Sequence, residues 1–406
     1  MKEGLMNKGW MKQRLVSITE KITDGSHNPP KGVTESDYMM LSSKNVFDDN
    51  FHYDGPRYLT AEQFQQEHKR TGIIPGDVLL TIVGTVGRCA VVPTNAPKIT
   101  LQRSVAVIRP ISKFILPRFL MYSFIQRNEE LNAQARGVAQ KGIYLETLRD
   151  MEVMLPPQPE QLRIVAILDG AFEGIATAKA NAEKNLKNAR QLFESHLNSV
   201  FSQRGEGWVE KTLGDTAKVK GGKRVPKGYQ LSTNQTDFPY IRVTDFTDTG
   251  SIDMGDLRYI SADVHNKIKN YVIYSEDLYI SIAGTIGKTG IIPDELNGSN
   301  LTENACRLAF KPGLSNRFVY YFTLTSSFIE QAGVNTRTAA QPKLALSRLS
   351  TIKLGVPSVQ AQQRLVDDFD ALCEETQRLE SIYQKKIDAL DALKKSILQK
   401  AFSGEL

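Results

Sequence analysis

The sequence predicts an α+β protein made of two copies of one unit, each a curled β-sheet with helices. Two long antiparallel coiled-coil helices join the copies, in a pseudo-two-fold internal repeat. Three observations support this architecture: a strand-and-glycine segment occurs twice, each copy ends in a long helical stripe, and short β-branched runs fill the rest. With 406 residues, 41% of them hydrophobic, the chain is long enough for two or three domains and is not disordered.

The repeat is clearest at residues 76–88, which recur as residues 276–288. Both segments read as an apolar strand followed by Gly-Thr-Val-Gly-Arg in the first copy and Gly-Thr-Ile-Gly-Lys in the second. Other landmarks keep nearly the same offset, namely Trp10 with Trp208, Leu15 with Leu213, Pro93 with Pro293, and Leu148 with Leu349.

Each copy ends at a proline, after which apolar residues follow one face of a long helix. A lone helix of this length needs a partner, so we predict an antiparallel pair with the two domains at opposite ends of a shared rod. Two separate helices, each packed on its own domain, are the alternative. The predicted organisation is a domain over 1–157, a spacer helix over 158–203, a second domain over 204–357 and a C-terminal spacer helix over 358–406.

Within each domain the pattern is mixed. Short β-branched runs bounded by glycine or proline predict strands. These runs are 77–83, 89–92, 104–108, 240–243, 278–282 and 290–292. Helical spacing predicts one helix over 118–135 and another over 317–331.

Composition limits the classes of function. The formal net charge is +6, and the basic excess lies in the two predicted domains, which suits an anionic partner such as nucleic acid. The cysteines, Cys89, Cys306 and Cys373, are scattered singly and form no disulfide framework or zinc motif. No apolar run is long enough to span a membrane, and the first residues do not resemble a signal peptide. We therefore expect a cytoplasmic protein with no membrane contact.

Three features of the sequence could be taken as signs of catalysis, and none of them has the residues that catalysis requires. The segment from Gly284 to Thr289 resembles a phosphate-binding loop, but Ile282 stands where that loop needs a glycine. Asn28-Pro29-Pro30-Lys31 resembles the base-holding motif of adenine methyltransferases, but a lysine replaces its aromatic residue. The five histidines lack metal-ligand spacing. We predict that the chain by itself is not catalytic and holds no metal or cofactor.

The candidate contacts to DNA lie in loops and turns. The glycine turns could present backbone amides and one cation to a phosphate, or could simply be hairpin turns. Two further loops share the order Arg, Gln, Lys, which suits base readout, although their polar residues could instead cap the preceding helix. The polar loop at 24–28 and its counterpart at 220–224 suit base and phosphate contact, or are plain solvated loops. The predicted DNA-binding residues are Asp24, Ser26, His27, Asn28, Thr85, Arg88, Arg103, Arg136, Gln140, Lys141, Lys220, Lys223, Arg224, Thr285, Lys288, Arg337, Gln341 and Lys343.

The whole chain resembles the specificity subunit of type I restriction-modification systems. The resemblance rests on the repeated glycine turn, on the boundary Leu155-Pro156-Pro157-Gln158-Pro159-Glu160-Gln161 with its echo after Pro357, and on the closing segment 398–406. The second copy reads Gln360-Ala361-Gln362 at this boundary.

The resemblance implies that each globular half is a target-recognition domain for one half of a bipartite double-stranded DNA sequence, and that the helices set the spacer. It also implies two modification subunits that bind S-adenosylmethionine and methylate adenine, and restriction subunits that use ATP and Mg to translocate and cleave. The alternative is a non-catalytic coiled-coil adaptor or scaffold with two peptide- or ligand-binding end domains.

Overall fold

The computed structural model describes residues 9–135, 142–333 and 343–406. It divides into two compact units. The first unit comprises residues 1–181 together with 386–406, and the second comprises residues 182–385. Each unit therefore contains one globular half and one stretch of each long helix.

The first unit holds eleven strands and four short helices in the described residues. The strands are β1 (Met11–Arg14), β2 (Thr19–Asp24), β3 (Tyr38–Leu41), β4 (Val46–Phe47), β5 (Asn50–Phe51), β6 (Arg57–Leu59), β7 (Val78–Thr81), β8 (Cys89–Val91), β9 (Lys98–Leu101), β10 (Val105–Pro110) and β11 (Glu152–Leu155). The helices are α1 (Ala61–Thr71), α2 (Pro117–Gln126), α3 (Asn128–Gln134) and α4 (Leu145–Asp150), after which the long helix α5 (Gln158–Gln203) begins. A 3-10 helix covers Leu15–Ser17.

The second unit follows the same order. Its strands are β12 (Val209–Thr212), β13 (Ala217–Gly221), β14 (Pro239–Ile241), β15 (Arg258–Tyr259), β16 (Val272–Ile273), β17 (Leu278–Ser281), β18 (Thr289–Gly290), β19 (Ser299–Leu301), β20 (Ala305–Phe310) and β21 (Lys353–Val356). Its short helices are α6 (Leu213–Thr216), α7 (Ala262–Ile268), α8 (Asn316–Thr323), α9 (Ser326–Ala332) and α10 (Leu346–Ser350), and the long helix α11 (Val359–Ser403) follows. Two 3-10 helices cover Val243–Asp245 and Asp294–Leu296.

The sheets of the two units share one topology, which confirms the predicted α+β repeat. A four-stranded antiparallel sheet has the order β2-β10-β7-β8 in the first unit and β13-β20-β17-β18 in the second. A second sheet has the order β6-β3-β9 or β15-β14-β19, with one parallel pair in each, and the second unit adds β16 at its edge. A two-stranded sheet, β1-β11 or β12-β21, closes each globular half beside its long helix.

The long helices pair antiparallel within each unit and also pack on the globular core. In the first unit, Arg163 near the start of α5 donates to the backbone oxygen of Leu406 at 2.6 Å. Further along α5, Lys179 binds Asp391 at 2.7 Å. In the second unit, Arg190 binds Glu380 at 3.0 Å in the same sense. The core of the first unit joins strand, helix and long-helix residues, all almost fully buried, such as Leu80, Ile108, Phe119, Leu168 and Leu398.

Two helices that the spacing predicted as continuous are interrupted. The segment 118–135 breaks at Arg127 into α2 and α3, and the segment 317–331 breaks after Thr323 into α8 and α9. In the second case Thr325 caps the new helix, because its hydroxyl accepts a hydrogen bond from the backbone nitrogen of Phe328 at 3.3 Å. A cap within a periodic apolar stripe does not change the stripe, so the spacing could not show the break.

Candidate nucleic-acid interface

One glycine in each unit fixes the backbone at the edge where the candidate loops meet. Gly25 follows β2, and a Cβ there would lie 2.1 Å from the carbonyl oxygen of Leu101. Gly222 follows β13, and a Cβ there would lie 2.1 Å from the carbonyl oxygen of Thr302. Only glycine allows two backbones to approach this closely. By this equivalence, Asp24, Ser26 and His27 of the first unit correspond to Gly221, Lys223 and Arg224 of the second unit.

Matching backbone hydrogen bonds extend this frame to two more segments. The nitrogens of Ile82 and Ile282 bond to the carbonyl oxygens of Ser104 and Asn304, so Arg103 and Glu303 occupy the same turn position. The nitrogens of Ile143 and Leu344 bond to the carbonyl oxygens of Ile82 and Ile282. Three segments therefore converge on one edge in each unit, and Lys343 is equivalent to Gly142.

The first unit places a buried carboxylate at this edge. Asp24 is 6% exposed, and its Oδ1 accepts from the Nη2 of Arg70 at 2.5 Å. Its Oδ2 lies 2.7 Å from the Nε2 of His27. These residues line a cavity of about 450 Å³, together with Ile82, Val83, Arg103, Gly142, Ile143, Tyr144 and Leu145. The cavity offers cations and apolar surface on one concave face.

The second unit presents different chemistry on the same frame. The Nε of Arg224 donates to the Oε1 of Glu303 at 2.5 Å, and the Nζ of Lys343 donates to the carbonyl oxygen of Glu303 at 2.5 Å. Burial raises the pKa of Glu303, but the hydrogen bonds from Arg224, from its own backbone and from Thr302 outweigh this and hold its pKa below the ordinary value. An ionised carboxylate therefore stands where the first unit has Arg103.

The repeated glycine turns use their cations locally. Gly84 and Gly87 have φ of 83° and 94°, and Gly284 and Gly287 have φ of 76° and 91°, so both turns need glycine at two positions. The guanidinium carbon of Arg88 lies 4.6 Å from the ring centroid of Phe47. The Nζ of Lys288 lies 2.7 Å from Asp248. Thr85 and Thr285, at the tips of the turns, are exposed.

The remaining predicted residues are distributed as follows. His27, Asn28 and Arg103 are exposed, and Ser26 is buried in a backbone bridge to Gln102. Lys220 is half-buried on β13, and the Nζ of Lys223 lies 5.6 Å from the ring centroid of Tyr271. The predicted residues Arg136, Gln140, Lys141, Arg337 and Gln341 lie outside the described residues. All eighteen assignments stay predictions.

Three residues at these edges were not predicted. Arg70 lies in the last turn of helix α1 and reaches Asp24 only through the tertiary fold. Tyr144 is 71% exposed beside the cavity of the first unit, at the amino end of α4. Glu303 could have been found from the sequence, because it lies 200 residues after Arg103 at the offset of the repeat.

The start of each long helix is fixed by a buried glutamine. The Oε1 of Gln161 accepts from the nitrogen of Leu116, and its Nε2 donates to the carbonyl oxygens of Phe114 and Pro156, all within 2.9 Å. Gln362 makes the equivalent three bonds in the second unit. The second copy therefore keeps this glutamine, while the neighbouring Glu160 is replaced by Ala361. The motif glutamine faces the protein interior and is a structural residue.

A second repeated contact holds each globular half on its helix. Arg118 and Tyr122 on α2 both bind Asp169 of α5, with the tyrosine hydroxyl donating at 2.6 Å. Arg317 and Tyr321 on α8 bind Asp370 of α11 in the same way. Burial raises the pKa of both tyrosines, and the hydrogen bond to the aspartate raises it further.

The described residues contain no group of three or more His, Cys, Asp or Glu arranged to hold a metal ion. Among the described helices, none combines the length and the hydropathy that a membrane span needs.

The family model for the type I restriction modification DNA specificity domain matches this chain twice, over residues 8–188 and 205–388. The chain belongs to this family. The two matches coincide with the two copies of the repeated frame, and the family has DNA specificity as its function. The predicted function of DNA specificity is therefore confirmed, and the alternative of a coiled-coil adaptor is not favoured.

Individual relatives agree with the family. The specificity subunit of the type I restriction enzyme EcoBI of Escherichia coli is 23% identical over 321 residues, covering 71% of this chain. The match spans 65% of that relative, slightly less than two thirds of its length. A putative specificity subunit, MjaX, of Methanocaldococcus jannaschii is 23% identical, with 99% of this chain and 95% of that protein covered.

Two solved structures show the same fold. A chain described under complex assembly and conformational transition of the type I R-M system has a TM-score of 0.78 at 18% identity, with 99% of both chains covered. The HsdS subunit from Thermoanaerobacter tengcongensis has a TM-score of 0.60 at 20% identity, with 100% of both chains covered.

Proposed function

We propose that this chain reads a bipartite double-stranded DNA target, with each unit recognising one half. The observation that carries the proposal is the pair of glycines, Gly25 and Gly222, which fix one backbone frame carrying different side chains in the two units. The first frame presents Arg103 and the second presents Glu303. Different donors and acceptors on one scaffold are what reading two different base sequences requires.

The charges of the two edges support contact with bases and phosphates. Arg103 is exposed, and its side chain has no hydrogen-bond or ion-pair partner among the residues the structure describes. In the second unit, Arg224 donates to the carboxylate of Glu303 and Lys343 donates to its main-chain oxygen. Arginine pairs with guanine and carboxylates accept from cytosine, so each edge offers groups suited to particular base pairs.

We propose further that the long helices set the spacer between the half-sites and bind two modification subunits. Leu192 on α5 and Leu393 on α11 support this, because both are exposed, at 55% and 46%. They are separated by 201 residues, the offset that also relates Gln161 to Gln362. Two equivalent exposed leucines suit two copies of one partner.

The chemistry of the complex belongs to its partners in this proposal. The modification subunits would bind S-adenosylmethionine and methylate adenine, and the restriction subunits would use ATP and Mg. The chain itself would supply sequence recognition in the cytoplasm, without a cofactor, as a non-catalytic part of a type I restriction endonuclease and adenine-specific DNA methyltransferase complex.

The deciding experiment is selection of bound sequences from a random duplex pool, using the full chain co-expressed with the modification subunit of its system. We expect a split motif with a fixed gap. A continuous motif, or no enrichment, contradicts the proposal. Binding of the selected duplex is expected to weaken by orders of magnitude as salt rises from about 50 to 200 mM, because phosphate contacts release counterions.

A further inference from the structure

The side chain of Arg70 is held in one orientation by Asp24. Its Nη2 donates to the Oδ1 of Asp24 at 2.5 Å, and its Nε donates to the main-chain oxygen of Asp24 at 3.1 Å. Asp24 is buried, and its second carboxylate oxygen is taken by His27 at 2.7 Å. The carboxylate therefore has no freedom to move away, and the guanidinium plane is fixed along its Nε edge.

The opposite edge of the same guanidinium, formed by Nη1 and Nη2, faces away from Asp24. Among the described residues, Nη1 has no hydrogen-bond partner, and Nη2 also lies 3.4 Å from the Nε2 of His27, an exposed side chain that a ligand can displace. Half of the Arg70 side chain, 49%, is exposed. This edge carries two parallel N–H groups in the geometry that bonds to two acceptors at once. A carboxylate behind an arginine fixes the fork in advance, so less entropy is lost when the two bonds form.

The surroundings select an electron-rich, flat ligand. Arg70 shares its cavity with Arg103, and Asp24 is the only acidic residue among the described side chains that line it. The two arginines outweigh the single carboxylate. The apolar side chains of Ile82, Val83 and Ile143 form part of the wall. The O6 and N7 atoms of guanine are the pair of major-groove acceptors that match an arginine fork.

We propose that Arg70 reads a guanine in the half-site of the first unit and that Asp24 is its positioning residue. This inference rests on the proposed function and adds to it one base and one reading residue. The second unit has Gly221 in place of Asp24, so the Asp24–Arg70 pair belongs to the first unit. The guanine contact made by Arg70 is therefore expected in the half-site that the first unit reads.

The test is selection from a random duplex pool with the wild-type chain and with Arg70→Lys, each in complex with the modification subunit. Lysine keeps the charge but lacks the fork, so the salt dependence should stay unchanged. The preference for guanine at one position of the first half-site should fall about 10- to 100-fold, because a bidentate arginine–guanine pair discriminates by this order. The second half-site should be unchanged, and the other positions of the first half-site should keep their preferences, which shows that the first unit is folded.

Two further variants separate reading from general binding. Asp24→Asn removes the negative charge, so binding to unrelated DNA should hold or strengthen while the guanine preference falls. A merely damaged fold would lower both. The matched control is Lys69→Gln, which removes a neighbouring exposed charge on α1 and should weaken binding to all sequences without changing the preferred base. The half-site that changes in Glu303→Gln identifies the half-site read by the second unit.

The outcomes distinguish this inference from the proposed function. If the wild-type chain selects no split motif, the proposed function fails, and the inference fails with it. If it selects a split motif whose first half-site has no required guanine, or if Arg70→Lys leaves that guanine preferred, only the inference is overturned.

Discussion

Gln161 and Gln362 make the same three hydrogen bonds at the start of their long helices, one accepted and two donated, although they lie 201 residues apart. Both side chains are almost completely buried. A buried amide that satisfies three backbone groups joins the helix to the globular half in a single geometry. The boundary motif is therefore best explained as a joint inside each unit.

Gln161→Ala should destabilise the first unit by roughly 2–5 kcal/mol, because one backbone nitrogen and two carbonyl oxygens lose their partners. Urea unfolding of the full chain measures this as a lower midpoint. The matched control is Glu160→Ala, which removes only an exposed pair with Arg163 and should change the free energy of unfolding by less than about 1 kcal/mol. Equal changes in the free energy of unfolding for the two variants would contradict the structural role of Gln161.

The contact of Tyr122 with Asp169 should show coupling in a double-mutant cycle. Tyr122 is buried, and its hydroxyl donates to a carboxylate that also binds Arg118. We expect Asp169→Asn and Tyr122→Phe to destabilise together by less than the sum of their separate effects, with an interaction of about 0.5–3 kcal/mol. The equivalent cycle with Asp370 and Tyr321 serves as the internal comparison. Additive effects in both cycles would refute a shared network.

Stability of the first unit should depend on His68 at mildly acidic pH. Burial lowers the pKa of His68 from its ordinary value of 6.5, and its buried Nδ1 lacks a hydrogen-bond partner in the described structure. A histidine with a lowered pKa in the folded state is protonated more readily when the chain unfolds. Its contribution is therefore full above pH 6.5 and is lost as the pH falls below that value. The unfolding temperature should fall less between pH 7.5 and pH 5.5 in His68→Gln than in the wild-type chain. An equal fall in the two proteins would count against this role.

Gly25→Ala should disrupt the edge of the first unit, because the added Cβ would lie 2.1 Å from the carbonyl oxygen of Leu101. We expect loss of preference in the first half-site and destabilisation of about 2 kcal/mol or more, the range seen for strained cores. Gly170→Ala is the control, since that glycine lies on exposed helix with open space around it. It should stabilise the chain by about 0.5–1 kcal/mol, through helix propensity. Selection from the duplex pool and urea unfolding measure the two effects.

Removing seven residues from each long helix should shorten the preferred spacer and leave both half-sites unchanged. Seven residues span about 10 Å of helix, which corresponds to about three base pairs of DNA. Seven residues are close to two turns, so the apolar faces stay nearly in register. The duplex pool reports the gap directly. A changed half-site with an unchanged gap would contradict the proposed role of the helices.

The sequence by itself determined the repeat, the α+β class and the two long helices. The helices and strands follow from the spacing of apolar residues, which is a local property, and the repeat follows from segments that recur at a fixed offset. The repeated turn, for example, needs Gly84 and Gly87 at positive φ, and the amino-acid sequence shows both glycines directly.

Only the tertiary structure decided which side chains meet. Arg70 and Asp24 are 46 residues apart, and neither the helix that carries Arg70 nor the strand that ends at Asp24 indicates the other. The same holds for Arg224 and Glu303, which are 79 residues apart. Hydrogen bonds of this kind depend on angstrom-scale placement of two backbones by the packed sheets. The scaffold and several of the residues at each edge were therefore predictable from the sequence, and the pairing of their side chains was not.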